Sequence, residues 1–436
     1  MEGIIFLLVA LTFVLIIVGV PVFASLLITG LLSLAALSAS TGSPFAFLVV
    51  PQSIFNGMGT TSLLAIPFFM LAGEIMNRGK ITEKLINFAM LLIGKLPGSL
   101  ANAGIVASMF FGGITGSAQA TASCMGGILI PAMQDAGYDS KEAVGVIAAA
   151  STCGPIIPPS IIMVVYAAAV GCSVGAMFMG GVVPGIVVGL ALIVTVLIRN
   201  RKCHFPRRTE KLTGAQIKSI LVEGIVPLGM PLIVVGGIMG GVFTPTEAGA
   251  IACVYSLIVS LFVSKTLTVK DLWSILLRAT TVTGPLLLII ACAKVFSYGL
   301  TALQMPVMIS ATIMSLTQNK WMFLLLVNIV LLVMGMFMDG GAAVIILAPI
   351  LAPVAAELGI SVIQFGVIMA LNLTIGNITP PLGYCLFIAS DIGKVPVEEG
   401  IKGTIPYLIT EIIVLLLVTY VPSMVLALPA ALGLGI

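Results

Sequence analysis

Charge is scarce in this chain. Only 8% of its 436 residues are Asp, Glu, Lys or Arg, too few to cover a water-soluble core of that size. Histidine occurs once, at His204, which excludes an H-E-x-x-H metalloprotease. No G-x-x-x-x-G-K-[ST] loop is present, so ATP hydrolysis is not expected, and any work must draw on an ion gradient or another subunit. Cys124, Cys153, Cys172, Cys203, Cys253, Cys292 and Cys385 stand singly with no C-x-x-C pair, which argues against a zinc site or a disulfide framework. They read as small apolar packers. Nineteen basic residues against sixteen acidic ones leave a formal charge of +3, too little and too dispersed for a nucleic-acid surface. No polar linker divides the chain into separate cores.

What it has is apolar sequence: 60% of the residues are hydrophobic and the mean hydropathy is +1.25. Apolar runs long enough to cross a bilayer recur throughout, so the expected fold is an all-α polytopic membrane protein, one integral membrane domain over 1–436. Candidate spans are Gly3–Val20, Val22–Leu37, Leu63–Met76, Val182–Ile198, Leu221–Val242, Ala248–Val263, Thr281–Leu300 and Thr404–Val421. The first lacks a basic leader and is expected to be retained. Two other segments look like hairpins that enter and return. Leu100–Phe111 and Ala118–Met133 meet at a stretch from Gly112 to Ser117 that disfavours continuous helix, and Met322–Val333 and Ala342–Ala355 meet around Met338 to Gly341.

Basic residues cluster at Arg199, Arg201, Lys202, Arg207, Arg208, Lys211 and Lys218, then at Arg78, Lys80, Lys84 and Lys95, at Lys265, Lys270 and Arg278, and at Lys394 with Lys402. By the positive-inside rule these ends are cytoplasmic, which places both chain ends outside. His204 lies in the first cluster and is expected to be solvated.

One internal repeat organises the chain. Gly154-to-Pro159 (GPIIPP) aligns without a gap on Gly376-to-Pro381 (GNITPP), an offset of 376 − 154 = 222. The same offset pairs Pro131 with Pro353, Gly137 with Gly359, Asp135 with Glu357, Gly113 with Gly335, Gly181 with Gly403 and Pro184 with Pro406. Under the charge anchors the two units start on opposite sides, so they are expected to be inverted repeats with broken helices meeting near the bilayer midplane. Repeat 1 is assigned to 60–198, with hairpin 98–134 and broken helix 141–170. A basic cytoplasmic loop covers 199–218 and connecting scaffold helices 219–264. Repeat 2 is assigned to 281–421, with hairpin 322–356 and broken helix 361–392.

Pro-Pro in mid-span removes two amide donors and leaves upstream carbonyls without helical partners. A small hard cation satisfies such carbonyls together with Ser, Thr, Asn and Asp oxygens. Each half supplies a set: Thr115, Gly116 and Ser117 with Gly154 and Pro155, then Asp339 and Gly340 with Gly376, Asn377 and Thr379. The alternative is that these are proline kinks and tight loops shaped for packing. Asp339 weighs against it, because a carboxylate at membrane depth costs about 2.5 kcal/mol or more and marks an ion or substrate path. Glu74 reads as an interfacial anchor, and Glu247 as the first turn of a helix capped by Thr244. Lys294, Glu223 and Asp391 could line a pathway, but helix-end pairing or snorkelling is the favoured reading.

Five stretches taken together resemble the large membrane subunit of tripartite ATP-independent periplasmic (TRAP) transporters, the DctM-like family. They are Ala65-to-Met76 (AIPFFMLAGEIM), Gly113-to-Thr121 (GITGSAQAT), Gly154-to-Ser160 (GPIIPPS), Phe243-to-Gly249 (FTPTEAG) and Gly376-to-Gly383 (GNITPPLG). The resemblance runs over nearly the whole chain. It implies a fold similar to divalent-anion/sodium symporters, with a scaffold and an elevator-like transport domain, in a bacterial inner membrane. It implies sodium-coupled import of an organic acid, a C4-dicarboxylate or a sialic or sugar acid, without ATP. The implied partners are a small four-helix membrane subunit and a periplasmic binding protein that delivers substrate. Thr115, Gly116, Ser117, Gly154 and Pro155 then resemble one sodium site, and Asp339, Gly340, Gly376, Asn377 and Thr379 the other. Substrate would lie near Ser117, Gln119, Ser160 and Asn377, with no arginine in either motif to clamp it. A symporter that works without a binding protein is the alternative, and a channel or an intramembrane hydrolase using Asp339 stands behind it.

Overall fold

All regular structure among the described residues is helical, as a chain in hydrocarbon must be if its amides and carbonyls are to find partners within their own segment. The computed structural model describes residues 2–41, 48–59, 61–79, 81–206, 213–305, 308 and 319–435. Lys80, Arg207, Arg208 and Lys211 of the basic clusters lie outside them. The chain begins with α1 (Glu2–Ile17), α2 (Val22–Thr41), α3 (Val49–Met58), α4 (Ala65–Arg78) and α5 (Ile81–Ile93). A first broken unit follows: α6 (Ser99–Thr115), α7 (Ala118–Asp135), α8 (Ser140–Ser151), α9 (Ile161–Val170) and α10 (Val174–Cys203). Then come α11 (Gly214–Met239), α12 (Pro245–Ile258) and α13 (Val269–Ala302). The second unit is α14 (Lys320–Phe337), α15 (Gly340–Glu357), α16 (Val362–Gly376), α17 (Tyr384–Gly393) and α18 (Val397–Tyr420), with α19 (Ser423–Ala431) after it. Eight of these helices, counting α12 with its π-helical extension to Val263, are long and apolar enough to cross a membrane.

The 222-residue register of the sequence is also a register of helices. Shifted by that offset, the bounds of α7 fall on Gly340 and Glu357, the bounds of α15, and the start of α8 falls on Val362, the start of α16. Each unit is interrupted at its Pro-Pro, between Ser151 and Ile161 and between Gly376 and Tyr384, and both Pro158-Pro159 and Pro380-Pro381 are cis. The units interlock: α7 packs on α17 as well as on α8, and α9 of the first unit packs on α15 of the second. Buried at the centre is α16, every residue of which from Ile363 to Gly376 is excluded from the surface.

Several expectations are corrected. The first hairpin does not come apart at Gly112 and Gly113. Helix α6 continues through both to Thr115, and the break is confined to Gly116 and Ser117. The glycines serve close approach instead, because a methyl group on Gly112 would sit 2.3 Å from Gly154 Cα, and one on Gly376 would sit 2.5 Å from the Gly335 backbone. The second hairpin spans Lys320–Glu357, longer than its apolar core suggested, since polar first and last turns are invisible to a hydropathy window. For the same reason α11, α13 and α18 begin seven or more residues before the spans assigned to them, while α10 begins eight residues early through the glycine- and methionine-rich stretch Val174 to Gly181. In place of the span at Leu63–Met76, the 14-residue α4 stands after a 3-10 turn. Three helices, α3, α5 and α19, had no counterpart among the assigned spans; α5 carries Glu83 and Lys84 and so breaks the apolar run.

Local expectations at other polar residues can be placed directly. Thr244 and Glu247 form a capping box with Pro245 in the first turn of α12. Lys294 donates to the Ala168 carbonyl in the last turn of α9 at 3.1 Å, a cation at a helix C-terminus. Glu223 accepts from Ser219 at 2.8 Å, Asp391 lies 3.7 Å from Lys394, and His204 is exposed at the end of α10.

Candidate functional site between the hairpin tips

Both hairpins cap their second helix in the same way. Ser117 is the N-cap of α7, its hydroxyl accepting from the Ala120 amide at 3.3 Å, and Asp339 is the N-cap of α15, its Oδ2 accepting from the Gly341 amide at 2.9 Å. The two positions are equivalent in the repeat. Gly116 holds the first turn open at φ +62°, a conformation that costs glycine little. The tips touch: Gln119 Nε2 donates to Asp339 Oδ1 at 2.7 Å, joining residues 220 positions apart.

Beneath the tips lies a cleft of about 410 Å³. The first hairpin lines it with Gly116 to Ala120 and Ser123, the second with Asp339 and Gly341, and the broken helices with Pro155, Ile161, Ile162 and Asn377. Two helix N-termini, those of α7 and α15, therefore face one space; that of α7, capped by a neutral serine, leaves the positive end of its dipole for an anion, whereas the Asp339 carboxylate already occupies that of α15. The C-terminal ends of α8 and α16 meet the hairpins from the other side. Their carbonyls and nearby side-chain oxygens are what a cation takes.

Around Gly154 the oxygens converge. A methyl group there would meet Thr121 Oγ1 at 3.0 Å and the Ser117 carbonyl at 3.3 Å; Thr115 Oγ1 lies 3.5 Å from Thr121 Oγ1, and Thr121 donates to the Ser117 carbonyl at 2.8 Å. Thr115 also bonds the Phe111 carbonyl at 3.3 Å. Pro155 and Gly154 occupy the non-helical link opposite. The residues assigned to the first cation set are thus brought together, and Thr121 joins them. Its place one turn beyond the tip was readable in the motif, but its side-chain direction was not.

In the second unit Asn377 caps α16 and is 1% exposed, yet its Oδ1 has no hydrogen-bond partner. An unpaired buried acceptor costs about 1–3 kcal/mol, so an acceptor aimed at this cleft is suited to a ligand. Thr379 donates to the Ile375 carbonyl at 2.8 Å and Gly376 abuts Gly335, while Asp339 and Gly340 start α15 above them. Among the described residues no group of three His, Cys, Asp or Glu side chains converges, so a cation here would rest on the Asp339 carboxylate with hydroxyl, amide and backbone oxygens, the donor set of a hard ion. Ser160 stands apart from the cleft. It is buried as the N-cap of α9, and its hydroxyl is committed to the Pro155 carbonyl and the Met163 amide.

Two lining residues were read otherwise in the sequence. Glu74, expected to be an interfacial anchor, and Arg278, counted only among loop charges, both line the cleft. Arg278 Nε lies 3.4 Å from Glu74 Oε1, and Arg78 Nε lies 3.7 Å from the same oxygen. An arginine is therefore present, supplied by α13 rather than by either motif. No local signal points to it, since only the packing of α13 against α4 turns it inward.

A family model described as the tripartite ATP-independent periplasmic transporter, DctM component, matches residues 9–424. The chain is 41% identical over 400 residues to the C4-dicarboxylate TRAP transporter large permease protein DctM of Pseudomonas aeruginosa, covering 92% of this chain and 93% of that one. It is 38% identical over 411 residues to the sialic acid TRAP transporter large permease protein SiaM of Vibrio cholerae, covering 94% and 95%. Among solved structures, the YdaH transporter of Alcanivorax borkumensis is similar over 91% of this chain and 96% of that one, with a TM-score of 0.66 at 16% identity, a likeness of fold. The relatives are permease subunits rather than enzymes. The matched motifs, the broken repeats and the multi-span helical fold lead to one statement of kinship: the chain belongs to the DctM family of large membrane components of tripartite ATP-independent periplasmic transporters.

Proposed function

We propose that the chain carries an organic acid anion into the cytoplasm, driven by sodium, in the bacterial inner membrane. The observation that supports this best is the cleft itself. The α7 N-terminus, suited to an anion, and the Asp339 carboxylate with the buried, unpartnered Asn377 oxygen, suited to a cation, belong to residues that line the same space. Sodium at the oxygens near Gly154 and at Asn377 and Asp339 would hold tips and helix ends in the arrangement that the anion needs. Binding of one ligand then strengthens binding of the other.

The basic-cluster residue Arg278 lines this cleft, so by the positive-inside rule the described state opens toward the cytoplasm. Alternating access would follow from movement of the unit α6–α9 with α14–α17 against a scaffold that includes α2, α4 and α13. A small membrane subunit and a periplasmic binding protein would complete the assembly. The relatives named above act on C4-dicarboxylates and on sialic acid, and both classes are candidates here. The test is uptake into proteoliposomes that contain the chain with its two partners. Wild type should require a sodium gradient, whereas Asp339→Asn and Ser117→Ala should lose sodium-dependent uptake while still inserting. Sodium dependence unchanged in both variants refutes the assignment.

A further inference from the structure

Resting on that reading, we infer that Arg278 is the residue that binds the acidic group of the substrate, and that Glu74 is the counter-ion it gives up. Three charged side chains line the cleft: Glu74, Arg278 and Asp339. Asp339 is engaged by Gln119 and by the Gly341 amide. Glu74 faces two guanidiniums, Arg78 and Arg278, and Arg78 also interacts with the Asp271 carboxylate, so Glu74 keeps a partner and Arg78 a counter-charge when Arg278 is withdrawn. Neither contact is a hydrogen bond, and Glu74 Oε1 accepts none although it is buried. The arginine is correspondingly free. It approaches Glu74 through Nε, its side chain is 64% exposed, and among the described residues neither terminal NH2 group forms a hydrogen bond.

A guanidinium with two free NH2 groups at the wall of a cleft has the planar fork that a carboxylate fills with paired hydrogen bonds. Across from it stand Ser117, Gln119, Ser123 and Asn377, neutral groups that match hydroxyl, carbonyl or amide substituents. The substrate is thus an acid held by one carboxylate at α13, with its uncharged polar part directed toward the tips. Because α13 belongs to the proposed scaffold and the tips to the moving unit, an acid in this position touches both. On arrival of the carboxylate Glu74 retains Arg78, so the counter-ion exchange leaves no buried charge alone. On departure Glu74 is again the partner of Arg278.

The test uses the chain co-purified with its small membrane subunit, and reads thermal stabilisation by sodium succinate and by sodium sialate against matched sodium chloride. Loss of a charged hydrogen-bond donor weakens binding by roughly 10- to 100-fold. Arg278→Gln should therefore raise the half-effective acid concentration by that factor for the acid that binds. Arg278→Lys should recover part of the loss, and Glu74→Gln, which frees the arginine, should lower that concentration. Stabilisation by sodium chloride over choline chloride should be the same in all four proteins. An unchanged response to acid in Arg278→Gln overturns the inference while leaving the transport reading intact, and so does a variant that loses its response to sodium as well. Wild type unmoved by either acid, with and without sodium, overturns both.

Discussion

Glu411 on α18 is fully buried, and its Oε1 accepts from Thr152 Oγ1 at 2.7 Å while Oε2 has no partner. Thr152 is the residue after α8, two positions before Gly154, so this single bond ties the first break to a helix of the other repeat. Thr152→Val would leave both carboxyl oxygens unsatisfied. The expected cost is about 1–3 kcal/mol, seen as a lowered midpoint in thermal unfolding of the purified protein. Asn377 gives a second expectation. If its free oxygen receives sodium, Asn377→Leu should abolish stabilisation by sodium chloride over choline chloride while helix content by circular dichroism is retained. A variant that still responds to sodium would remove Asn377 from the ligand set. Nothing in the composition separated these two residues from the buried Asn328, Asn372 and Thr419, whose side chains bond one another away from the cleft although Asn372 Oδ1 also stays unpaired. The difference is one of surroundings, and surroundings are set by packing.

Helix ends carry the chemistry at the level of the element, and they were the most readable part of the sequence. Proline and glycine act within a few residues of themselves, so breaks at Pro158-Pro159 and Pro380-Pro381 follow from local sterics. The reading failed where a glycine answers to a distant backbone. The stretch expected to break, Gly112 to Ser117, does so only at Gly116 and Ser117; Gly112 and Gly113 are helical, and Gly112 is small because Gly154 lies against it. Gly145 shows the same demand, for a methyl group there would lie 2.3 Å from the carbonyl carbon of Gly403 on α18. Two backbones at that separation cannot yield as a flexible side chain would. Gly145→Ala should therefore destabilise by about 1–3 kcal/mol or more, with a matching fall in the yield of folded protein after detergent extraction. Gly127, whose added methyl would meet nothing within 4 Å, is the matched control and should tolerate alanine.

At the scale of the whole molecule, charge distribution sets orientation. If the basic clusters are cytoplasmic, cysteines introduced at Glu2 and Gly435 should react with a membrane-impermeant maleimide in intact cells. A cysteine at Lys202 should react only after permeabilisation. Labelling of Lys202→Cys from outside would reverse the orientation, and with it the side on which the cleft opens. Hydropathy and charge counts suffice for membrane residence because transfer into lipid is nearly additive over residues. The offset of 222 was visible because broken helices demand the same few residue types in each copy. What composition and spacing could not supply was azimuth and partnership. The bond from Gln119 to Asp339, the turn of Arg278 toward Glu74, and the burial of Glu411 beside Thr152 join residues from distant helices. Such pairings depend on how whole helices rotate and pack, a property of the assembled core that no local pattern encodes.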